Sequence, residues 1–375
     1  MNSFKIPLLD LYVEKLNADI GEFSGYLVPM KYTNSIEEAL NVRNNVGFFD
    51  VSHMGRLVVK GGNAIEFLEY LYTKRISDTK EGFMSGPTLI LTEKARVRDD
   101  EMLYRVRDDE WLIVVNAPAR FKIIDFLRNA SLSMNYRVEI EDYTEKYTMI
   151  AIQGPGSLNI MEKLGFPEAA SLKPLEFRLN QVIGDTNVFL ISRSGWTGED
   201  GFELWLEHSE AADLVEKLVR NGVKPAGLIA RDMLRMEMGY VLHGAEYGED
   251  PSKYPCAIAL RYGFKAIDWS KKGFLGENAL RECRRSGVDY IRVGLKLSKK
   301  AGHVIPRSSS YVYVDDVEIG WVTSGAYSPV LERGIAQAYV KSRNALFGEE
   351  VEVEIRGKRV EAKIVDFPFI EKHRS

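Results

Sequence analysis

The sequence predicts an α+β fold that ends in a small all-β unit, on three observations. Helical and strand-like segments interleave without the regular spacing of a doubly wound sheet. A hairpin signal stands in RVRDDEMLYRVRDDEWLIVVN, where two strand-like runs flank a short acidic turn. After about Tyr290 the helical period is lost, and the runs YIRVGLKL, YVYVDDVEIGWVTSG, IAQAYV and EVEVEIRGKRVEAKIV follow one another between Gly, Pro, Ser or charged turns. The expected division is therefore a two-part α+β region over residues 1–284 and an all-β region over 285–375.

Taken in order, SIEEALNVRNN offers Ser35 as N-cap with Glu38 three residues on, a capping box that predicts a helix to about Asn44. MGRLVVKG reads as a strand and NAIEFLEYLYTKR as a helix. In the acidic hairpin, side chains alternate between faces: Asp100, Met102, Tyr104 and Val106 share one, while Asp99, Glu101, Leu103 and Arg105 share the other. With Asp108 and Asp109 in a three-residue loop, Val106 opposes Glu110, Tyr104 opposes Leu112, Met102 opposes Val114, and Asp100 opposes Asn116. A carboxylate and an amide then terminate a mostly apolar face, the beginning of a polar ligand site.

A helix near ARFKIIDFLRNA, a strand YTMIAIQG and a helix near GSLNIMEKLG come next. QGPGSLN is neither a P-loop nor a dinucleotide fingerprint, since it lacks both Gly-Lys-Ser/Thr and GxGxxG. In SGWTGEDGFELWLE the glycines permit tight turns, and Phe202, Leu204 and Leu206 form one face of a strand. Glu203 falls on the other face with Trp205 and Glu207, where pattern alone turns it to solvent. On the helix GLIARDMLRMEMGY, Arg231 and Arg235 project from similar angles. Arg235 reads as a surface partner of Asp232, which leaves Arg231 for an anionic ligand. In the last hairpin Val351, Val353 and Ile355 alternate with acids, Arg356 to Lys358 turn, and Val360, Ala362 and Ile364 return.

Composition narrows the function classes. The chain has 375 residues, 45% of them hydrophobic and 28% charged, with net charge −4 and its basic residues dispersed. Neither a nucleic-acid stripe nor a polybasic membrane patch is expected. No apolar run reaches membrane-spanning length and the N-terminus has no cationic segment before an apolar core, so no membrane association is expected. Cys256 and Cys283 have no spacing that suggests zinc, a redox motif or a disulfide framework, which points to a reducing, cytoplasmic setting. The five histidines show no ligand spacing, and no metal site is expected.

Several segments carry a family resemblance: VRNNVGFFDVSHMG, the VRDD to VVNA hairpin, AIQGP, SRSGWTGEDGFEL, PAGLIARDMLRMEMGYVLHGAE, IGWVTSGAYSPVL and IAQAYV. In this order the chain resembles the aminomethyltransferase, or T-protein, family of the glycine cleavage system along nearly its whole length. The resemblance implies a three-domain, cloverleaf-like arrangement with a C-terminal β-barrel and a central folate site. It implies Asp100 as the catalytic Asp, and ligand contacts at Met54, Tyr104, Asn116, Trp196, Glu203, Arg231 and Tyr240, with Arg374 standing for a contact from the extreme C-terminus.

The co-substrate implied is tetrahydrofolate or a related reduced pterin, and the partner a lipoylated carrier, the H-protein. A folate-dependent demethylase and a non-catalytic folate-binding maintenance protein are the alternatives on the same fold. The chain departs from the family pattern at Pro87, at Ala95-Arg96 where Gly-Gly is usual, and at Trp196 where Tyr is usual. Lys271, Lys272, Arg281, Arg284 and Arg285 are the candidate basic patch for the carrier.

Overall fold

A computed structural model describes residues 3–261 and 263–371. Three β units meet around one interior, and a small N-terminal sheet of Phe4–Lys5, Tyr26–Lys31 and Asp19–Phe23 packs beside them. The first large unit is a five-stranded sheet in the order Met84–Leu91, Val97–Arg107, Glu110–Val115, Gly55–Lys60 and Glu139–Asp142. The second has six strands, ordered Phe177–Ile183, Thr186–Ser192, Gly201–Leu206, Thr148–Gln153, Gly47–Asp50 and Lys224–Pro225. The third is a closed six-stranded barrel whose first strand is Tyr290–Leu297 and whose last, Lys358–Val365, pairs back with it. Closure leaves no open edge for a stray strand to pair with.

Helices seal the outer faces. The apolar stripe of Ala64–Leu71, with Phe67, Leu68 and Leu71 fully buried, covers the five-stranded sheet together with Ile123, Ile124 and Leu127 of Arg120–Ser133. Alternation along the strands decides which side each residue takes: Leu103, Ile113 and Leu57 face this helical layer. Tyr104, Leu112, Val114 and Val58 face a second core, shared with Phe49, Met149 and Trp205 of the six-stranded sheet and with Ala326 and Ile335 of the barrel. Helix Leu228–Glu237 runs through that shared core.

Two local expectations are corrected. The helix at Ser35–Asn44 is capped by Asn34, whose side chain accepts from Ile36 N at 2.9 Å, so the cap lies one residue earlier than Ser35. Glu38 leaves the helix end altogether and accepts from Tyr32 N (2.7 Å), Thr33 N (2.8 Å) and Gly227 N (2.8 Å). Three backbone donors, two from the loop before the helix and one from distant Gly227, outcompete one reciprocal cap. The cysteines form a second correction: Cys256 and Cys283 are joined by a disulfide, their Cα atoms 6.7 Å apart. Spacing along the chain cannot reveal a pair that tertiary contact creates, and cysteine usage therefore no longer argues for a reducing setting. Among the described residues no helix is long and apolar enough to cross a membrane.

Candidate functional site

The acidic hairpin adopts the expected register over most of its length: Met102 pairs with Val114, Leu103 with Ile113 and Tyr104 with Leu112. The expectation fails at the turn, where a bulge at Val106 sets Arg107, not Val106, opposite Glu110. At the other end the Asn116 side chain donates to Asp100 Oδ1 and to Asp100 O, both at 3.0 Å, so carboxylate and amide do meet. Asn116 also donates from Nδ2 to Asp99 Oδ1 (2.8 Å) and from its backbone to Asp99 Oδ2 (3.0 Å). The Tyr247 hydroxyl reaches both Asp100 Oδ1 and Asp99 Oδ1, the latter at 3.2 Å.

Behind the sheet the acids are dry. Asp99 and Glu101 are 0% and 1% exposed. Glu101 accepts from the Tyr72 hydroxyl through Oε2, while its Oε1 has no hydrogen-bond partner among the described residues. Burial, and then the adjacent Asp100 charge, pushes the Asp99 carboxyl up to about 8. Burial and the neighbouring Asp99 raise Glu101 as well. Alternation had separated these residues from Asp100 but had not indicated that their face is sealed. The signal was present in Val97 and Leu103, apolar neighbours on that face.

In front of the sheet lies a cavity of about 320 Å³. It is lined by Met54, Asp100, Tyr104, Asn116, Trp196, Glu203, Arg231 and Tyr240, which arrive from all parts of the first 240 residues. Arg374, the remaining sequence-derived candidate, lies outside the described residues. The cavity walls are largely apolar, with Met84, Met102, Val114 and Leu175 among them, and a few polar groups converge, as a small-molecule site requires.

Glu203 is not the solvent-facing residue that pattern suggested. Its strand, Gly201–Leu206, lies in the middle of the six-stranded sheet and is buried on both faces. Its Oε2 accepts from Ser194 Oγ at 2.6 Å. The loop before it, residues 193–200, turns through Gly198 at φ +87°, a conformation that an L side chain resists. This turn brings Trp196 into the cavity, its ring near-parallel to that of Tyr240 with centroids 6.4 Å apart.

Arg231 and Arg235 also part company. Arg235 is buried, not a surface residue, and is held by Asp232 (2.8 Å), Glu246 (3.3 Å) and Tyr240 O (3.0 Å). Arg231 has no ion pair among the described residues, and its buried Nη1 has no hydrogen-bond partner. Its guanidinium sits 5.4 Å from the Trp196 ring and 5.9 Å from that of Phe49. Burial lowers its pKa, with Glu203 acting in the opposite sense. An unsatisfied buried donor carries a penalty of roughly 1–3 kcal/mol or more, which an anionic or carbonyl ligand would remove.

Sequence reasoning missed His53 and His243, both on the cavity wall. Burial holds them down to about 3 and about 4, so both are neutral across the physiological range. Of the departures from the family pattern, Pro87 and Trp196 line the cavity, whereas Ala95 is buried at a turn with φ +55°. The basic patch is corrected in part. Lys271 is buried and donates to Tyr72 O (2.8 Å) and Lys74 O (2.6 Å) while pairing with Glu69, so it fastens the interior. Arg281 donates to Lys271 O (2.7 Å) and pairs with Glu277. Lys272, Arg284 and Arg285 remain exposed, with Arg284 against the Trp269 ring and Arg285 beside Glu282.

Two family models match the chain. Residues 9–263 match the family model described as the GCVT N-terminal domain, and residues 292–371 match the glycine cleavage T-protein C-terminal barrel domain. The chain is 53% identical over 363 residues to a probable aminomethyltransferase of Aeropyrum pernix, covering 97% of this chain and 96% of that protein. It is 37% identical over 377 residues to an aminomethyltransferase of Caldanaerobacter subterraneus subsp. tengcongensis, covering 99% and 97%. The crystal structure of glycine cleavage system aminomethyltransferase T from Bartonella henselae superposes with a TM-score of 0.88 at 30% identity, over 98% of each chain.

Proposed function

The chain belongs to the glycine cleavage T-protein family of aminomethyltransferases, and from that premise we propose that its central cavity binds tetrahydrofolate and receives an aminomethyl group on the lipoyl arm of the H-protein. The products are 5,10-methylenetetrahydrofolate, ammonia and the dihydrolipoyl carrier. Two carbon–nitrogen bonds form to the folate while the methylene loses its sulfur and its amine. The two protons given up by the folate nitrogens leave on the thiol and the ammonia.

One observation carries the reading: eight side chains separated by up to 186 residues in sequence line a single cavity, and that cavity adjoins the core that both sheets share with the barrel. Asp100, held from one side by Asn116 and Tyr247, orients the pterin and stabilises positive charge developing at the attacking nitrogen. Glu203 accepts from the aminopyrimidine edge, and Arg231 meets a carboxylate or carbonyl of the ligand. Trp196 and Tyr240 offer parallel flat surfaces to a conjugated ring, with Met54 and Tyr104 filling the remaining walls. Burial keeps the Tyr104 hydroxyl un-ionised. Positioning in near-attack geometry can offset on the order of 7–11 kcal/mol, so the scarcity of reactive side chains is consistent with this chemistry.

The test is turnover of tetrahydrofolate with and without an aminomethylated lipoyl carrier. Methylenetetrahydrofolate formed only with the carrier supports the transferase. Turnover of a free methylated donor that ignores the carrier would replace it with a demethylase, and folate binding without turnover of either would leave a maintenance protein.

A further inference from the structure

Behind Asp100 the polar atoms are too many for the hydrogens that Asn116 and Tyr247 supply. Asn116 Nδ2, the Tyr247 hydroxyl, Asp99 Oδ1 and Asp100 Oδ1 form five mutual contacts, none longer than 3.2 Å. The amide supplies two hydrogens and the phenol one. If the phenol donates along its shorter contact, to Asp100, its contact with Asp99 is a hydrogen bond only when Asp99 brings a proton of its own. Asp99 is fully buried and has no ion pair among the described residues. Two adjacent carboxylates in such a site cannot both ionise cheaply.

We propose that Asp99 and Tyr247 are positioning residues for the transfer reaction: the Asp99 carboxylic acid donates to the Tyr247 hydroxyl, which donates to Asp100, so that the pair carries one negative charge and holds it on the side facing the cavity. The inference rests on the assignment of Asp100 above and adds a proton inventory to it. Its geometry is set from the barrel side. Glu246, the residue before Tyr247, accepts from Thr323 Oγ1 (2.6 Å), Leu242 N (2.8 Å) and Arg235 (3.3 Å), and its carbonyl accepts from the Tyr339 hydroxyl (2.7 Å). The fixed point for the relay therefore lies in another unit of the fold.

Among the described residues, the following groups also face the cluster and leave Asp99 as its proton donor. Leu89 and Ile90, paired with Asp100 and Asp99 on the neighbouring strand, do not titrate. Arg98 turns outward to Glu249 at 3.2 Å and lies over the Phe126 ring. His243 stands edge-on to the Tyr247 ring and is neutral, Lys122 being the nearby cation that acts on it. Glu101 and Tyr72 occupy the same dry face, where burial raises both. Tyr247 itself is raised by burial and by the two acids, which preserves its hydrogen.

The experiment uses the full chain with tetrahydrofolate and aminomethylated lipoyl carrier, and compares Tyr247→Phe, Asp99→Ala and Asp99→Asn. Tyr247→Phe and Asp99→Ala should each lower kcat roughly tenfold with little change in KM for tetrahydrofolate, the mark of a lost transition-state interaction. Asp99→Asn should recover most of the loss, because its amide N–H can donate to Tyr247 while its carbonyl accepts from the Asn116 backbone N–H, the Asn116 side chain keeping Asp100 O and Oδ1 as acceptors. It should also lose the alkaline limb expected of the wild type, in which Asp99 ionises near pH 8.

An Asp99→Asn enzyme as slow as Asp99→Ala, or one that keeps the alkaline limb, overturns the proposal. So does a Tyr247→Phe enzyme with wild-type kcat and pH profile. A second measurement needs no substrate and so separates this proposal from the assignment of the activity. A carboxyl raised to about 8 in the folded chain, against its ordinary 3.8, makes wild-type stability fall as pH rises between those values. Asp99→Asn has no such loss, and its thermal midpoint should gain on the wild type from pH 5 to pH 8. A difference that stays constant over that range rejects the protonated Asp99.

Discussion

The hexapeptide Arg-Val-Arg-Asp-Asp-Glu occurs at residues 96–101 and again at 105–110, within one hairpin: the first copy on the strand Val97–Arg107, the second running off its end through the turn. In the first copy the three acids are buried or half-buried, joined to Asn116, Tyr247 and Tyr72. In the second, Asp108 and Asp109 have side chains 69% and 59% exposed and pair with arginines of their own hexapeptide. Each copy also carries a bulge just before its acidic pair. Identical chemistry thus has two fates, and neighbours decide between them. The first copy lies between two strands and beneath a helical layer, while the second rounds a turn into water. In water a pair such as Arg107–Asp109 is screened and contributes little, whereas a dry carboxyl must be protonated or paired.

The largest expected effect tests whether the buried copy contains the catalytic acid. Asp100→Asn should lower kcat by roughly 10²–10³-fold, about 2.7–4 kcal/mol, if it acts as other preorganised charge-stabilising groups do. Folding should be little affected, because Asn preserves the shape and still accepts from Asn116. Steady-state assays at saturating folate and carrier measure the first and thermal melts the second. Near-normal turnover would make the two copies functionally equal and remove the basis for their contrast.

The next effect asks whether the cavity's ligand depends on the unpartnered cation. A ligand that binds only the folded chain stabilises it by about 2.7 kcal/mol at a hundredfold excess over Kd, so tetrahydrofolate should raise the thermal midpoint. Arg231→Ala and Glu203→Ala should each weaken Kd by roughly tenfold or more, the worth of a buried hydrogen bond to a charged group. Arg235 offers the internal contrast. Its donors are already occupied by Asp232, Glu246 and Tyr240 O, so Arg235→Ala should lower the midpoint of the free protein by leaving Glu246 buried and unpaired. Equal losses of folate affinity from Arg231→Ala and Arg235→Ala would erase the distinction between ligand-facing and structural arginines.

These contrasts indicate what sequence could and could not supply. Strand period 2 separated Asp100 from Asp99, and hairpin pairing brought Asn116 to the acidic end, because both depend on neighbours a few residues away. The partners that make the first hexapeptide different are remote: Tyr247 is 147 positions from Asp100 and Tyr72 is 29 from Glu101. Glu203 and Arg235 were read as wet for the same reason, since one face of a strand or helix does not report what covers it. Conversely, the last hairpin was legible in outline from its own alternation, with Val351, Val353, Ile355, Ala362 and Ile364 buried and only the turn shorter than expected. The site residues came from motif resemblance, and the cavity's polar map came from tertiary contacts.

A smaller effect concerns exposed charge that acquires meaning only with a partner. Arg284 and Arg285 lie on the outer face of helix Glu277–Ser286, as solvated as the second hexapeptide. Reversing both to Glu should raise the apparent KM for the lipoyl carrier by roughly threefold and leave folate binding intact, and added salt should weaken the wild type in the same direction. Unchanged carrier dependence would move docking elsewhere and return this face to plain solvation.

The smallest expected effect falls on the second hexapeptide itself. Asp108→Asn and Asp109→Asn remove exposed carboxylates whose partners, Arg105 and Arg107, keep other contacts: Arg105 donates to Ser77 O at 3.0 Å and Arg107 pairs with Glu110 at 2.6 Å. Each substitution should change stability by no more than about 0.5 kcal/mol, the usual range for surface positions, and leave kcat and its pH dependence unaltered. Asn is also well suited to turns, so the hairpin geometry survives. Thermal melts and pH–rate profiles, run beside Asp99→Asn and Asp100→Asn, place all four aspartates of the doubled motif on one scale. A change in the alkaline limb on replacing Asp109 would mean that the exposed copy communicates with Asp100 along the strand, and burial would then not be what separates the two.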